Sequence, residues 1–329
     1  MSRMRQVLHR RFGPPAEVIE IDEVEIPRPG PGEVLVELVA APINPAELLM
    51  FEGSYGYGPS VPTLPRRAGI EGVGRVTDGD TAALPVGTLV ALAGIDGIWS
   101  DFCLLPAANA VIMPDEVSHE QLAMGLVNPQ TALLLLVDFA DLHPGDHVIQ
   151  NAANSAVGRI LDSVARHRGL RVVNVVRSET AAAAMRETTD SVVLVDGPDL
   201  PARAAAVTGD GRVPLAVDAV GGEATDRLAR CLSEGGTVVN YGLLSGQACR
   251  IDPALAIFHG VTLTGFWMPR SLAARTAAER GALLTDAFGL LGRGVFTVPV
   301  ERGYGLGEVR AAVEHAGRAG RHGKILITR

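Results

Sequence analysis

Short apolar runs separated by glycine and proline fill the first third of the chain. Residues 33–43 (EVLVELVAAPI) form a strand-like run that ends at Pro42 and Pro45, and residues 74–94 contain several β-branched runs between glycines and prolines. Runs of this length bounded by turn residues are typical of β-strands. The pattern predicts a small β-rich domain, either a barrel or an open sheet.

The pattern becomes helical over residues 115–142. Ser118 and Gln121 have the spacing of a capping box, in which two side chains each accept a hydrogen bond from a backbone N–H group at the start of a helix. Pro129 interrupts the apolar run that follows, and proline is favoured in the first turn of a helix. We therefore expect one helix to begin after Ser118 and a second to begin near Pro129.

From residue 143 onward, buried strand-like segments alternate with helical ones. The strand-like segments are residues 147–153, 170–176, 191–196, 213–222, 235–246 and 261–268. The helical segments between them include residues 156–169 and 180–187, and one lies between the fourth and fifth strands. This alternation predicts an α/β fold with a doubly wound parallel sheet. A helix-rich stretch follows at 271–294, and we expect the tail, 322–329, to be a strand that returns to the first domain.

Composition and charge argue against several kinds of partner. The chain has 329 residues, of which 47% are hydrophobic, enough for two domains with cores of their own. The net charge is −8 and basic residues form no block, which argues against nucleic acid and anionic membranes as partners. The longest apolar run, residues 132–137, is too short to span a bilayer.

Cysteine usage and the N-terminal segment indicate a reducing environment. Cys103, Cys231 and Cys249 are widely spaced and odd in number, so no disulfide framework or CxxC metal site is present. The first residues, MSRMRQVLHRRFG, are basic but lack the apolar stretch of a secretory signal. We expect a cytoplasmic protein.

The first strand-to-helix turn of the alternating region is QNAANSAVGR (150–159), where a dinucleotide phosphate would bind. It is not a G-x-G-x-x-G motif, because only Gly158 holds one of the expected glycines. Ala156 is small enough to let a phosphate approach, and Asn154 and Ser155 can donate hydrogen bonds to it. The N-terminus of the following helix adds free N–H groups. Taken alone, the segment fits an ordinary tight turn equally well.

The end of the second strand of the alternating region bears on the choice between NAD and NADP. An acidic residue there binds the ribose 2′-hydroxyl of NAD, whereas an arginine accommodates the 2′-phosphate of NADP. This chain has Arg177 at that place, followed by Ser178, which favours NADP. Glu179 weakens the case because its charge would repel a phosphate, and a solvated role for Arg177 stays open.

Several segments resemble the medium-chain dehydrogenase/reductase superfamily, and within it the trans-2-enoyl-thioester reductases. The matching stretches are APINPAELLMFEGSYG (41–56), LVNPQTALLLL (126–136), LHPGDHVIQNAANSAVG (142–158), VVNVVR (172–177), DAVGG (218–222), GGTVVNYG (235–242) and GFWM (265–268). The resemblance implies a Rossmann-type domain at residues 125–268, inserted in a β-rich, GroES-like catalytic domain formed by residues 1–124 and 269–329.

The resemblance also implies NADPH as the cofactor. By the matching motifs, the residues that would contact it are Asn128, Asn154, Ser155, Ala156, Val157, Arg177, Tyr241, Gly242, Leu243, Leu244, Phe266, Trp267, Met268 and Lys324. For the aromatic members of this set, plain core packing remains an alternative.

The same comparison of motifs argues against zinc. Zinc-dependent members of the superfamily need a cysteine near the position of Asn44 and a histidine before the acid of a G-H-E motif. The corresponding segment is AGIEGVG (68–74), with Ile70 in place of the histidine, and asparagine supplies no thiolate. Because a catalytic zinc needs three protein ligands, we expect no metal site.

Without a metal, a hydroxyl group near the nicotinamide would polarise the substrate carbonyl or protonate carbon. Tyr55 matches the tyrosine that has this role in the enoyl reductases, and a phenol is ordinarily neutral near pH 7. Tyr57 is a rival, and both side chains could simply be loop surface. Asn44 and Thr131 are candidate polar neighbours of the cofactor, although each could instead cap a turn or bond backbone.

Two segments depart from the enoyl reductase pattern, residues 96–106 and 269–281, and both should border the acyl pocket. The substrate is therefore either a 2-enoyl thioester, on coenzyme A or on an acyl carrier protein, or a smaller enone or quinone. A dedicated biosynthetic enoyl reductase and a non-catalytic NADPH-binding protein are the remaining alternatives, since fold does not fix function. The segment 261–268 predicts a homodimer, because this edge of the sheet commonly pairs with its twin in the superfamily.

Overall fold

A computed structural model describes residues 2–56, 63–79, 82 and 84–329. The chain forms two compact units, which are Met1–Val127 with Val298–Arg329 (unit 1) and Asn128–Thr297 (unit 2). The sequence-based boundaries lay after residues 124 and 268, so residues 269–297 fall in unit 2 rather than with the β-rich part. This stretch contacts unit 2 through the ion pair of Arg275 with Asp138, and helix α11 within it buries Ala287, Leu290 and Leu291. The division into functional domains remains a prediction.

Unit 1 is built on antiparallel sheets, as the glycine- and proline-punctuated pattern predicts. Its strands are β1 (Arg3–His9), β2 (Ile19–Glu25), β3 (Glu33–Pro42), β4 (Arg66–Arg67), β5 (Glu71–Asp78), β6 (Leu89–Ala93), β7 (Phe102–Pro106), β8 (Val111–Ile112), β15 (Val300–Gly305) and β16 (Lys324–Thr328). Its helices are α1 (Pro15–Val18), α2 (Pro45–Glu52), α3 (His119–Ala123) and α12 (Val309–Gly317). The larger sheet has the order β15-β16-β3-β5-β6-β8, with β7 also on β3, and the smaller has the order β2-β1-β4.

The C-terminal strand returns to the N-terminal part, as predicted. β16 pairs antiparallel with β3, with Leu326 opposite Pro42 and Ile327 opposite Ala41. The core beneath the sheet contains the fully buried Trp99 and the nearly buried Phe51. β16 therefore places Lys324 beside the start of α2, which begins after Asn44.

Unit 2 contains the six-stranded parallel sheet. Its strands are β9 (His147–Gln150), β10 (Arg171–Val176), β11 (Val192–Val195), β12 (Leu215–Asp218), β13 (Thr237–Asn240) and β14 (Thr262–Gly265). The helices that follow are α5 (Ala156–His167), α6 (Glu179–Arg186), α7 (Leu200–Thr208), α8 (Glu223–Ala229), α9 (Pro253–His259), α10 (Met268–Ala273) and α11 (Ala277–Gly292), and α4 (Val127–Val137) begins at the unit boundary.

The order of the parallel sheet is β11-β10-β9-β12-β13-β14. The chain runs outward from β9 in one direction, returns, and then runs outward in the other, so strand order reverses beside β9. This doubly wound arrangement confirms the predicted fold class, and ligands of such sheets bind at the carboxyl ends of the strands at the point of reversal.

At the start of α3, Ser118 accepts a hydrogen bond from the backbone N–H of Gln121 at 3.4 Å, which is one half of the predicted capping box. The other half was predicted wrongly, because the Gln121 side chain bonds the backbone of Val298 at 2.8 and 2.9 Å instead. Pro129 is the third residue of α4, which begins two residues earlier than expected. Throughout the part of the chain that the structure describes, no helix has the length and apolar character needed to cross a membrane.

Candidate functional site

The turn after β9 carries the features expected of a phosphate-binding turn. Ser155 is the N-cap of α5 and its hydroxyl accepts a hydrogen bond from the backbone N–H of Gly158 at 3.1 Å. Asn154 is exposed, and Ala156 and Val157, in the first turn of the helix, are half-buried. N–H groups in a first helical turn have no partner within the helix. The turn therefore presents free donors and the positive end of the α5 dipole to a ligand.

Gly158 allows α5 to lie against the turn that precedes it. A Cβ at this position would lie 2.6 Å from the carbonyl oxygen of Ala153 and 2.7 Å from its Cα, closer than real Cβ contacts. The requirement is steric, because backbone atoms cannot be moved aside as the end of a side chain can. This contact gives the single glycine of the turn the packing role predicted from the sequence.

We expect Gly158→Ala to destabilise the protein by about 1–3 kcal/mol, the usual cost of overpacking a close contact. Gly281→Ala, within α11, is the matched control, because a Cβ there meets no atom within 4 Å. Alanine in an exposed helix is better than glycine by about 0.5–1 kcal/mol, so the control should be stabilised. Thermal unfolding of both variants checks this, and equal melting temperatures would contradict the steric account.

Arg177 follows the last residue of β10 and is exposed. Its guanidinium has no ion-pair partner among the described residues, whereas the nearby Glu179 pairs with Arg186 at 2.5 Å. The carboxylate expected to weaken phosphate binding at this place is therefore already engaged. Ser178 is the N-cap of α6 and accepts a hydrogen bond from the N–H of Ala181 at 3.3 Å, so its hydroxyl has a structural role.

The ends of β9 and β13 are joined by Tyr241, which forms a side-chain hydrogen bond with Ser155. Burial raises the pKa of the Tyr241 phenol to about 12, so this hydroxyl stays protonated at neutral pH. Gly242 follows it, and a Cβ there would lie 2.6 Å from the carbonyl oxygen of Ala219. Leu243 and Leu244 are 59% and 60% exposed, so both apolar side chains are accessible to a ligand.

Asp218, at the carboxyl end of β12, is a residue that the sequence analysis did not single out. Its carboxylate is fully buried. It accepts hydrogen bonds of 2.6–3.1 Å from the side chains of Asn151, Thr225 and Asn240 and from the backbone N–H groups of Val220 and Gly221. Asp218 thus connects the loops after β9 and β12 with helix α8 and the end of strand β13. The signal for it was an acid at the end of an otherwise apolar strand.

The other predicted residues of unit 2 lie around α4 and the start of α10. Asn128 and Thr131 are buried on α4, and the Thr131 hydroxyl lies 3.8 Å from the sulfur of Met268. Phe266 packs edge-on against Phe139, with ring centroids 6.1 Å apart. Trp267 is 37% exposed. The structure therefore brings Thr131 and Met268 together, while Phe266 packs on another half-buried ring outside the core.

In unit 1, Asn44 and Lys324 are in contact within a buried polar cluster. The Lys324 ammonium donates to the Asn44 side-chain oxygen, and the Asn44 side-chain nitrogen donates to Glu71 at 2.7 Å. Glu71 also accepts the backbone N–H of Val127 at 2.8 Å. Glu47, the third residue of α2, accepts the backbone N–H of Asn44 at 2.7 Å. All four cluster side chains are at least nine-tenths buried.

Asn44 and Ile70 occupy positions that the resemblance assigns to zinc ligands, and the residues of this cluster do not fit zinc. The Asn44 amide is already bonded to Glu71 and Lys324, Ile70 offers no ligand atom, and an ammonium group lies next to the amide. Among the described residues, no group of three or more His, Cys, Asp and Glu side chains could hold a metal ion.

Tyr55 is half-buried and lies three residues beyond the end of α2. The helix ends at Gly53, whose φ of +76° is left-handed and turns the chain toward Tyr55. Tyr57, the alternative proton donor, lies outside the described residues. The catalytic assignment of Tyr55 thus remains a prediction.

Comparison with known proteins adds the family. Residues 156–282 match the model of a zinc-binding dehydrogenase, and residues 30–115 match that of an alcohol dehydrogenase GroES-like domain. The mitochondrial enoyl-acyl-carrier-protein reductase of Bos taurus is 32% identical over 306 residues, which cover 91% of this chain and 81% of that protein.

Two solved structures share the fold over the full length of both chains. A putative NADPH:quinone reductase from Bacillus thuringiensis has a TM-score of 0.89 at 23% identity. The complex of Etr1p with NADP and crotonyl-CoA has a TM-score of 0.88 at 24% identity. Together with the matched family models and the extent of the bovine similarity, these findings confirm the resemblance seen in the sequence. The chain belongs to the medium-chain dehydrogenase/reductase superfamily of oxidoreductases, in the family of the enoyl-acyl-carrier-protein reductases.

Proposed function

We propose that this protein uses NADPH to reduce the carbon–carbon double bond of a 2-enoyl thioester. The observation that carries the proposal is the similarity, over 91% of the chain, to a relative named as an enoyl-acyl-carrier-protein reductase. The complex of a structural neighbour with NADP and crotonyl-CoA supports the same substrate class. The residues described above supply the chemistry that such a reaction needs.

The cofactor's phosphates would bind at the turn that contains Asn154, Ser155 and Gly158. Free N–H groups at the start of α5 favour negative charge there. Arg177, exposed and without an ion-pair partner among the residues described, would bind the 2′-phosphate that distinguishes NADPH from NADH. In unit 1, the Lys324 ammonium and the Asn44 amide would contribute hydrogen-bonding groups to cofactor binding. The turn, its close glycine contact and the exposed guanidinium all fit NADPH.

When bound, NADPH supplies a hydride to the β-carbon of the enoyl group. Negative charge then develops on the thioester oxygen, and the Tyr55 hydroxyl donates a hydrogen bond to that oxygen or a proton to the α-carbon. A neutral donor aimed at developing charge stabilises the transition state more than the ground state. The Tyr241 hydroxyl, held protonated and bonded to Ser155, orients the turn rather than exchanging a proton.

A second candidate is a metal-free NADPH:quinone or enone reductase. It is supported by the fold match to the Bacillus thuringiensis protein, whose name assigns that activity. Residues 96–106 and 269–281 depart from the enoyl reductase pattern. These departures are also compatible with a small substrate. Both candidates use the same cofactor site and differ in their need for a positioned phenol.

The decisive assay follows NADPH oxidation at 340 nm with crotonyl-CoA, a longer enoyl-CoA, the corresponding acyl-carrier-protein thioester and a 1,4-quinone. Thioester turnover well above quinone turnover supports the proposal, and the carrier comparison identifies the physiological thioester. Quinone turnover without thioester turnover would replace the proposal with the second candidate. NADPH binding without turnover of any substrate would favour a binding protein. The cytoplasmic location stays a prediction, and the relatives are named as mitochondrial.

We also propose a homodimer formed through β14, the last strand of the parallel sheet. Strands at a sheet edge present unpaired backbone groups, and two copies related by a two-fold axis satisfy them. The helix just before this strand, α9, carries Ile257 and Phe258, which are 70% and 74% exposed. Large apolar side chains exposed in this way are typical of an interface.

The expected result for the double variant Ile257→Asp and Phe258→Asp is a halved molecular mass in size-exclusion chromatography with light scattering. Charges buried without a partner in an interface destabilise the dimer strongly. Val86→Asp in unit 1 is the control, since Val86 is 67% exposed and lies far from β14 in sequence. A wild-type protein that is monomeric, or a double variant that remains dimeric, would contradict this interface.

A further inference from the structure

Lys324 is the only lysine in the chain, and every other Lys/Arg position is arginine. The one lysine is also 7% exposed, on the first position of β16. The two residue types differ in a property that matters here, because arginine stays charged in proteins whereas a buried lysine can lose its proton. The charge of the only side-chain ammonium in this chain therefore depends on the residues that surround Lys324.

A continuous path of hydrogen bonds connects Lys324 to Glu71. The ammonium donates to the Asn44 amide oxygen and lies 3.4 Å from the carbonyl oxygen of Ile43. The nitrogen of the same amide donates to Glu71, so the amide has its oxygen toward the cation and its nitrogen toward the anion. Rotating the amide by half a turn would place a donor against the ammonium. Glu71 and Lys324 together thus fix the orientation of Asn44.

Four charged or titratable groups face one another in this cluster. They are Lys324 on β16, Glu71 on β5, Glu47 on α2, and Arg321 just before β16. Burial lowers the pKa of Lys324 to about 8, the charges of Glu71 and Glu47 oppose that shift, and Arg321 adds to it. Without its carboxylate neighbours, the ammonium would titrate at still lower pH.

The two carboxyl groups are not equivalent. Burial raises the pKa of both, and it raises that of Glu47 to about 8. Glu71 accepts hydrogen bonds from Asn44 and from the Val127 N–H, which favour its charged form. Glu47 has one buried oxygen without a hydrogen-bond partner among the described residues. Hydrogen bonds therefore stabilise the charged form of Glu71 better than that of Glu47.

We propose that Glu71 is a positioning residue that acts through Lys324, holding the only side-chain ammonium of the chain in place by way of Asn44 and keeping it charged. This inference rests on the proposed function, in which Lys324 binds NADPH. Cofactor affinity then depends on a carboxylate that acts through two other side chains. The sign follows directly: removing the charge of Glu71 lowers the pKa of Lys324, so the ammonium is lost at a lower pH and NADPH binding weakens at pH 7.

A single lysine makes the charge directly measurable in the ligand-free protein. Protein labelled with ¹³C at lysine Cε gives one side-chain Cε resonance, whose shift reports the proton on Nζ. In the wild type we expect a midpoint near pH 8, well below the ordinary 10.4. In Glu71→Gln the midpoint should fall by about 1–3 pH units, the usual effect of losing a close opposite charge. Glu52→Gln, an exposed position on α2 that does not act on Lys324, is the control and should leave the midpoint unchanged. Glu47→Gln should lower the midpoint by less than Glu71→Gln, because the charge of Glu71 acts on Lys324 more strongly than that of Glu47.

Asn44→Leu covers the case in which Glu71→Gln does not fold. It keeps both carboxyl groups but removes the amide that bonds the charged forms of Lys324 and Glu71, so the lysine midpoint should fall here as well. A lysine midpoint that is unchanged in the folded variant, or that lies at the ordinary value in the wild type, overturns the inference.

The second arm measures the dissociation constant of NADPH by fluorescence from pH 6 to 9. At pH 7 we expect Glu71→Gln to bind about tenfold more weakly, in proportion to the lost fraction of charged lysine. Lys324→Arg should flatten the pH dependence, because its charge cannot be lost. A shifted lysine midpoint with unchanged NADPH affinity overturns the role in binding. A wild type that binds no NADPH overturns the proposed function instead, and the resonance still decides whether Glu71 controls the charge.

Discussion

Tyr55→Phe is expected to lower kcat for crotonyl-CoA reduction by about 10²-fold or more, the usual contribution of a positioned proton donor. The substitution removes one oxygen atom and keeps the ring, so NADPH binding should change by less than about twofold. The loss should appear equally in kcat and in kcat/KM, because the hydrogen bond to the thioester oxygen strengthens as charge develops.

Tyr304→Phe provides the matched control for this variant. Tyr304 lies in the same unit, in the core, and its hydroxyl bonds His315 at 2.9 Å. Its loss should affect stability by about 1 kcal/mol and leave turnover intact. If Tyr55→Phe retains wild-type turnover of the thioester, the proton comes from another group, and Tyr57 is the next residue to replace.

Arg177→Asp is expected to reverse the cofactor preference. The variant loses a charge-assisted bond to the 2′-phosphate and gains a carboxylate that repels it, while the same carboxylate can bond the 2′-hydroxyl of NADH. We expect kcat/KM for NADPH to fall about 10- to 100-fold, which corresponds to about 1.4–2.7 kcal/mol. The value for NADH should rise.

The control for the cofactor preference is Arg250→Asp, which makes the same charge change in unit 2. The Arg250 side chain is 72% exposed and its nearest ion-pair partner, Glu223, is 3.9 Å away. Kinetics with both cofactors measure the effect. An Arg177→Asp enzyme that keeps its NADPH preference would mean that the 2′-phosphate is recognised by other residues.

The parallel sheet of unit 2 could be predicted in detail because its signals are local. Each strand is a short apolar run, and the predicted segments overlap the observed strands β9 to β14. Chain connectivity then limits the order of such strands to a few topologies. The phosphate turn and Arg177 could be identified for the same reason, because a turn and the end of a strand are recognised from consecutive residues.

The buried polar clusters could not be predicted in the same way. Lys324 and Asn44 are 280 positions apart, and Asn44 and Glu71 are 27 apart, so no window of sequence contains the cluster. The hydrogen bonds of Asp218 could not be predicted either, since their donors lie in two loops, on helix α8 and on strand β13. Such groups are costly to bury without partners, and the partners become visible only when the chain is folded.

The boundary between the two units also could not be predicted from sequence patterns. Residues 269–297 are helical and could pack on either part by composition. The bonds of Ser271 and Arg275 to Asp138, together with the Arg168–Asp286 pair, attach this stretch to unit 2. Long-range ion pairs between exposed or half-exposed residues carry no periodic signal.

The most direct test of enoyl reduction follows the hydride itself. Crotonyl-CoA is incubated with NADPH that carries deuterium at the transferable position of the nicotinamide, and the product is analysed by mass spectrometry and NMR. The account predicts butyryl-CoA with one deuterium at the β-carbon and a solvent-derived proton at the α-carbon. Unreacted crotonyl-CoA, in the presence of enzyme that oxidises the same NADPH with a quinone, would contradict it.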